Sequence, residues 1–362
     1  MRQSVQMGPS TIERGNKMDG KYGVLVVDDS AFMRKTISTL IEASPDFFVI
    51  GRARNGLDAI EKVKQLKPSI VTLDIEMPEL DGLQTLRRLM NENPVPVVML
   101  SNGTDSTLEA FELGAVDFVI KEVLVNHTSS EFLDDFYQRL LVAVSAKLPV
   151  LIQKEEVVPD NKVHIEEMIE MSKDLLFIGT STGGPSALQT ILTKFPSDFH
   201  LPIVVVQHMP PGFTKPLADR FDSLCHLKVK EAEHNEILKP GKVYIAPAGL
   251  QTTIYKNERN LYQIKLKISA GMETLYKPSV DVTLLSAAHL YKERLLAVIL
   301  TGMGDDGLRG CRKVKQLGGL VLTESKETCV VYGMPKVIDE AGLSDEQAPL
   351  FKMYDKIRHA LL

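Results

Sequence analysis

Apolar and polar positions along this chain follow two periods that take turns. From Tyr22 to about Ala146, the short apolar runs GVLVV, FFVIGRA, SIVTL, PVVML and AVDFVI are rich in β-branched and aromatic residues. They read as strands, most of them bounded by turn formers. Between them, MRKTISTLIEA, GLDAIEKVKQL, GLQTLRRLMNEN and STLEAFELGA repeat apolar residues at helical spacing. This βα alternation predicts a parallel sheet with helices on both faces, and five strands suit the smaller doubly wound arrangement. A second alternation begins at Asp174. Its strand candidates are DLLFIG, PIVVVQ, HLKVKEA, KVYIAP, the YQIKLKI region, LLAVIL and GLVLTE. Its helix candidates are GPSALQTILTKF, KPLADRFDSL, SVDVTLLSAAHLYKE and GLRGCRKVKQLG. The expected fold class is therefore α/β with two domains, a five-stranded doubly wound unit followed by a doubly wound parallel-sheet unit.

The expected boundaries are a disordered tail over 1–21, a first domain over 22–146, a linker over 147–172 and a second domain over 173–362. The start, MRQSVQMGPSTIERGNKMDGKYG, lacks the apolar stretch of a signal peptide. Met18 is a second candidate initiator, because ordered patterning begins only at about Tyr22. The segment QKEEVVPDNKVHIEEMIEMSKD is acidic, contains proline and is weakly periodic, as a tether would be. No internal repeat of fixed period is visible.

Composition narrows the classes further. A length of 362 residues supports two cores, and 44% apolar content is ordinary for a globular chain. The net charge of −5 argues against a nucleic-acid footprint, and no apolar run of 18 or more residues is present to span a membrane. Cys225, Cys311 and Cys329 are scattered and form no CxxC pair, so neither structural zinc nor a secreted disulfide framework is expected. They read as small buried side chains in a reducing cytoplasm.

The first constellation of polar residues lies at strand ends, where ligands gather in an open parallel sheet. Asp28 and Asp29 follow GVLVV, Asp74 ends SIVTL, Ser101 ends PVVML and Lys121 ends AVDFVI. Three carboxylates in one pocket repel one another, and a hard divalent cation such as Mg²⁺ relieves this. Asp74 can then act as a carboxylate nucleophile toward phosphorus. Lys121 offers a point charge and Ser101 a hydroxyl to the phosphate oxygens. The motifs VDDS, LDIEMPELDG, the Ser after VVML and the Lys of DFVIKE, in this order, resemble the receiver domain of bacterial response regulators over about residues 22–145. That resemblance implies Asp74 as phosphoacceptor, Asp28 and Asp29 as acidic metal-site residues, and a backbone carbonyl ligand at Glu76, with Mg²⁺ as cofactor for phosphorylation. One departure is Lys121-Glu122, where many receivers have Lys-Pro.

The second constellation begins at DLLFIGTSTGGPSALQTIL, which reads as strand, small-residue turn and helix with Ser181 in the turn. The helix N-terminus presents free N–H groups toward developing negative charge. A dinucleotide loop is the rival reading. It fails because GTSTGG is not GxGxxG, and because the next strand, PIVVVQ, is followed by His208 rather than by a ribose-binding carboxylate. A His there suits a general base for Ser181. LLAVILTGMGDDGLRG then supplies Asp305 and Asp306, either of which could orient the imidazole, and a Gly-rich backbone near Met303 that could donate to an oxyanion.

GTSTGGPSAL, VVVQHMPPGFT, VYIAPAG, KPSVDVTLLSAA, ILTGMGDDGLRG and CVVYGMP together resemble the catalytic domain of the chemotaxis methylesterases, from about Gly179 to Pro335. The resemblance implies Ser181 as nucleophile, His208 as base and Asp306 rather than Asp305 as the third member, with Thr182 and Met303 supporting the oxyanion. It implies hydrolysis of glutamate methyl esters, and deamidation of specific glutamines, on methyl-accepting chemotaxis receptors, with a chemotaxis histidine kinase as phosphodonor. No cofactor is expected for ester hydrolysis, and no nucleic-acid partner or membrane insertion. The fused arrangement suggests that the first domain gates access to Ser181. One departure is Ala248-Gly249-Leu250-Gln251, where the family often has Gly followed shortly by His; it is expected to affect substrate fit. Two further classes stand beside this reading. In a non-enzymatic signalling module the Ser, His and Asp would be incidental. A DNA-binding regulator would need a basic recognition element that the chain lacks.

Overall fold

The computed structural model describes residues 17–103, 105–126, 130–148, 173–269, 271 and 274–361. Most of the expected tail (1–16) and of the expected linker (149–172) lies outside the described residues. The chain forms two α/β units, each built on its own parallel sheet. No helix among the described residues is long and apolar enough to cross a membrane.

The first unit contains strands β1 (Lys17–Met18), β2 (Lys21–Val27), β3 (Phe47–Ala53), β4 (Ile70–Asp74), β5 (Val97–Ser101) and β6 (Asp117–Ile120). Its helices are α1 (Ala31–Glu42), α2 (Gly56–Leu66), α3 (Gly82–Glu92), α4 (Asp105–Glu112), α5 (Lys121–Asn126) and α6 (Ser130–Ser145). β3, β2, β4 and β5 pair in parallel, and β6 continues the sheet beyond β5. The five expected strands are all present. β1 was not expected. It pairs antiparallel with the start of β2 across Asp19-Gly20, both left-handed at φ 51° and 82°, as a two-residue hairpin turn requires. The Lys17 ammonium sits 4.0 Å over the Tyr22 ring. The last residues of the expected tail thus join the sheet.

The second unit contains β7 (Leu175–Thr180), β8 (Ile203–Gln207), β9 (Lys228–Glu231), β10 (Lys242–Ile245), β11 (Gln251–Lys256), β12 (Tyr262–Lys267), β13 (Leu295–Ile299), β14 (Leu320–Glu324) and β15 (Glu346–Ala348). Its helices are α7 (Gly184–Leu192), α8 (Thr214–Leu224), α9 (Val280–Tyr291), α10 (Leu308–Gln316), α11 (Met334–Glu340) and α12 (Leu350–Leu361). Seven strands pair in parallel in the order β15-β14-β13-β7-β8-β10-β9. β7, β8 and β13 are buried throughout, matching their unbroken apolar runs. The YQIKLKI region does form a strand, β12, but outside this sheet. It pairs antiparallel with β11 in a separate hairpin that lies on α9. Thr283 Oγ1 donates to the Thr252 carbonyl (2.9 Å) and the Ile254 N–H donates to Ser286 Oγ (2.9 Å).

Both parallel sheets reverse direction at their first long strand. β2 has β3 on one side and β4 on the other, and β7 has β8 on one side and β13 on the other. A crevice opens outside the carboxyl ends of the strands at such a switch point. In the second unit this edge is held from behind by Glu324, the last residue of β14, which is fully buried. Its Oε2 accepts the Thr301 N–H at 2.8 Å. The Thr301 carbonyl accepts the Ser181 N–H (3.1 Å) and Thr180 Oγ1 (2.8 Å), and Thr301 Oγ1 donates to the Thr182 carbonyl (3.0 Å). Burial pushes the Glu324 carboxyl up to about 7, against the lowering effect of the Thr301 N–H.

Two outcomes follow from this packing. A methyl group at Gly310 would lie 2.5 Å from Leu284 Cβ, where α10 crosses α9, so Gly310→Ala should lower the unfolding free energy by about 1–3 kcal/mol. Denaturant unfolding checks this; an unchanged midpoint would refute the tight crossing. For Glu324, the folded pKa lies above the ordinary 4.5, so the stability from its protonated form is full below about 4.5 and is lost as pH rises through about 7. Glu324→Gln does not titrate and still accepts from Thr301. The stability of the variant relative to wild type should therefore climb between those pH values; melting curves that run parallel would contradict it.

Candidate active site and acidic pocket

In the first unit, the sequence ends β2 before two acids and ends β4 on a third. Asp28, Asp29 and Asp74 each bring a carboxylate oxygen within 4.8 Å of the others. Asp28 and Asp74 are buried and Asp29 is exposed. Asp28 Oδ1 accepts the Ser30 N–H (2.9 Å), and Ser30 caps α1 by accepting from the Met33 N–H. Arg34 Nη1 donates to the carbonyls of Asp28 (2.7 Å) and Asp29 (2.9 Å), which fixes the acidic turn. Lys121 follows β6 directly and begins α5, so Lys121-Glu122 opens a helix. Its ammonium lies 3.0 Å from Asp28 Oδ2 and 2.8 Å from Asp74 Oδ2. Burial, with the nearby Asp28 charge, raises the Asp74 carboxyl to about 6, although Lys121 pulls it down. Desolvation works against the Lys121 charge, but Asp74 and Asp28 outweigh it and hold its pKa above the ordinary lysine value.

The Glu76 N–H bonds Asp74 Oδ1 at 3.2 Å, so Glu76 borders the pocket through its backbone. Ser101, expected to offer its hydroxyl to the phosphate oxygens once a phosphoryl group arrives, is bonded within its own loop. Its Oγ donates to the Gly103 carbonyl (2.6 Å) and accepts from Gly103 N–H (3.0 Å) and Thr107 Oγ1 (2.8 Å). These short-range partners satisfy the hydroxyl within its own loop. The described residues thus gather three carboxylates and one ammonium, a donor set that suits a hard divalent cation and an incoming phosphoryl group.

In the second unit, strand register brings the other constellation together. Thr180 pairs with Gln207 and Gly179 pairs with Ile299, so Ser181, His208 and the residues from Thr301 onward leave adjacent strands side by side. The turn after β7 is tight. Gly183 takes φ 78°, and a Cβ at Gly184 would lie 2.0 Å from Gln207 Oε1. Gln207 Nε2 donates to the Ser181 carbonyl (3.0 Å), and the His208 N–H donates to the Thr180 carbonyl (3.2 Å). Ser181 is 9% exposed.

His208 Nε2 lies 2.8 Å from Asp306 Oδ2. The imidazole stacks on Tyr276, with ring centroids 4.0 Å apart and planes 5° from parallel. His208 Nδ1 is buried and has no hydrogen-bond partner among the described residues. Asp306, not the exposed Asp305, meets the ring. Its Oδ1 accepts Ser279 Oγ (2.9 Å) and the Asp281 N–H (2.9 Å), and its Oδ2 accepts the Val280 N–H (2.8 Å). Burial alone would raise the Asp306 pKa. The bond and charge of His208, with the backbone N–H groups of Asp281 and Val280, hold it below the ordinary carboxylate value.

Thr182 and Met303 border this group. The chain at Gly302 presses against the serine: a Cβ there would lie 2.8 Å from Ser181 Cβ. The Ser181 N–H is already bonded to the Thr301 carbonyl. Among the described residues, the N–H groups of Thr182 and Met303 have no protein acceptor and are free to donate. The segment Tyr276-Lys277-Pro278-Ser279 reads from sequence as support for the site rather than as reacting groups, and Tyr276 and Ser279 do touch His208 and Asp306. Sequence reasoning missed Thr301, Asp281 and Gln251 as supporting residues. Asp281 carried one signal, an acid in the first turn of an expected helix; Thr301 and Gln251 carried none.

A sequence profile described as CheB methylesterase matches residues 176–357, and one described as response regulator receiver domain matches residues 24–129. A protein of Halalkalibacterium halodurans named protein-glutamate methylesterase/protein-glutamine glutaminase is 43% identical over 347 residues, covering 94% of this chain and 98% of that protein. A protein of the same name from Thermotoga maritima is 43% identical over 339 residues, covering 92% of this chain and 97% of its own. The crystal structure of the Thermotoga maritima CheB methylesterase catalytic domain is 48% identical, with a TM-score of 0.50, over 52% of this chain and 99% of that one. With relatives this similar over nearly its whole length, the chain belongs to the CheB methylesterase family, with a response regulator receiver domain preceding the methylesterase domain.

Proposed function

We propose that the protein hydrolyses glutamate γ-methyl esters, and deamidates specific glutamines, on chemotaxis receptors by a Ser-His-Asp mechanism that phosphorylation of Asp74 stimulates. The observation that carries this reading is the 2.8 Å contact of His208 Nε2 with Asp306, on a strand end next to that of Ser181. With Nε2 engaged by the carboxylate, Nδ1 is the nitrogen left to take the serine proton.

Ser181 Oγ attacks the γ-carbonyl carbon, and its proton passes to His208 Nδ1. Asp306, kept ionised at its low pKa, stabilises the imidazolium. The N–H groups of Thr182 and Met303 receive the oxyanion. When the tetrahedral species collapses, the carbon–methoxy bond breaks and His208 returns its proton to the leaving methanol. Water, deprotonated by His208, then cleaves the acyl-serine to free glutamate and regenerates Ser181. A glutamine side chain follows the same course with ammonia as leaving group. No cofactor enters these steps.

In the receiver, Asp74 is the phosphoacceptor. Asp28, Asp29 and Asp74, with the Glu76 carbonyl, would hold Mg²⁺; the fit rests on three carboxylate oxygens within 4.8 Å and on buried Oδ2 atoms of Asp28 and Asp74 that have, among the described residues, no hydrogen-bond donor beyond the Lys121 ion pair. Bound there, the ion neutralises charge on the acids and on the phosphoryl oxygens. Lys121 holds the same oxygens and Ser101 donates to them once its local bonds are released. The phosphodonor is a chemotaxis histidine kinase, and the site of action is the cytoplasm. Phosphorylation shifts the population toward a form in which Ser181 is accessible.

Methanol release from methylated receptor should be serine-dependent, falling by at least about 10⁴-fold in Ser181→Ala. A fluorophosphonate should label the wild type and not the variant; an unlabelled wild type would favour a binding module. Acetyl phosphate with Mg²⁺ should raise the wild-type rate. Asp74→Asn should abolish that rise while keeping the basal rate, and a variant as fast as the phosphorylated wild type would remove the switch from the reading.

A further inference from the structure

We propose that Gln251 is a positioning residue for the reaction, holding the segment 276–279 so that His208 and Asp306 face each other correctly. Gln251 opens β11 and is 1% exposed. Its carboxamide bridges both ends of that segment. Nε2 donates to the Tyr276 carbonyl at 2.7 Å, and Oε1 accepts the Ser279 N–H at 3.0 Å. The Gly249 N–H adds a third tie, to the Lys277 carbonyl at 2.9 Å.

Each bridged residue touches one member of the His208–Asp306 pair. Tyr276 stacks on the imidazole, and Ser279 donates through Oγ to Asp306 Oδ1 while capping α9. One buried carboxamide therefore sets the position of the ring's stacking face and of the carboxylate's donor. Gln251 touches neither substrate nor the reacting atoms, so it acts only through Tyr276 and Ser279. The segment 248–251 reads from sequence as a determinant of substrate fit; in the fold, its last side chain is turned inward.

The chemistry of the bridge is specific. An amide supplies one donor and one acceptor at every pH. Methionine matches the volume, removes the Nε2 donor from the Tyr276 carbonyl and leaves the buried Ser279 N–H without its Oε1 acceptor. A histidine can donate from one nitrogen and accept at the other only while neutral, so it can replace the bridge only above its pKa, ordinarily about 6.5.

The inference rests on the Ser181 reading, and the test separates the two. Fluorophosphonate labelling rates of the full chain are measured from pH 5.5 to 8.5 for wild type, Gln251→Met and Gln251→His. Gln251→Met should label about 10- to 100-fold more slowly than wild type at every pH. Gln251→His should label near the wild-type rate at pH 8.5, and its ratio to wild type should fall below about pH 6.5. If Gln251→Met labels as fast as wild type, or if the ratio of Gln251→His to wild type does not change with pH, the positioning role is wrong. Should Gln251→Met fail to fold, the pH dependence of the histidine variant alone decides. A wild-type chain that takes no label overturns the serine reading itself, and with it this role.

Discussion

Asp306 and Asp281 are buried within the same small volume, and each is seated on the helix that the other begins. Asp306 precedes α10 and accepts the N–H groups of Val280 and Asp281 at the start of α9. Asp281 lies in the first turn of α9 and accepts the N–H groups of Gly307 (3.0 Å) and Gly310 (2.7 Å) at the start of α10. Buried carboxylates are costly unless donors surround them, and helix N-termini provide such donors. The two acids end up different. Burial lifts Asp281 to about 6, whereas His208 and two N–H groups keep Asp306 low. The exchange fixes how α9 crosses α10, and the close contact at Gly310 follows from it. The direction of Asp306 toward His208 is a consequence of that crossing.

The two units use one architectural rule for unlike chemistry. Each places its polar residues where a parallel sheet reverses direction, outside the carboxyl ends of its strands. In the first unit, that edge buries carboxylates side by side; burial, with the Asp28 charge added, pushes Asp74 to about 6, and Lys121 lies between two acids. Such a site is suited to a cation and a phosphoryl group. In the second unit, the edge carries small residues that let backbone approach backbone, leaving two N–H groups without an acceptor among the described residues beside a serine. Glu324 and Thr301 stiffen this edge from the neighbouring strands.

What could be read along the chain was local. The strands β2–β10 and β12–β14 were all foreseen, most of them because buried parallel strands are unbroken apolar runs and the helices between them repeat every three to four residues; β9 and β12 are partly polar exceptions. The acids, Ser181, His208 and Lys121 could be picked out because each stands at the end of such a run. β1 carried an Asp-Gly hairpin signal, but two residues are too few to show a period. β11 and β15 are short or half polar, and QTTIYK has no apolar run; its stability comes from β12 and from α9. α12 repeats apolar residues at Leu350, Met353, Ile357 and Leu361, a helical spacing that the expected elements omitted.

By itself, then, the sequence determined the two α/β alternations, the order of the polar residues and their places at strand ends, since these depend on neighbours within one element. Spacing alone left Asp305 and Asp306 equivalent, and said nothing of what Ser101 bonds before a phosphoryl group arrives. Only the tertiary structure showed the bond from Asp306 to His208, the bonds of Ser101 to Gly103 and Thr107, and the support that Gln251 and Asp281 give the site. The physical reason is the reach of the contacts. The His208–Asp306 bond spans 98 residues, Gln251 to Ser279 spans 28 and Asp281 to Gly310 spans 29. Bonds of that span are selected by strand register and helix crossing, which no window of neighbouring residues encodes.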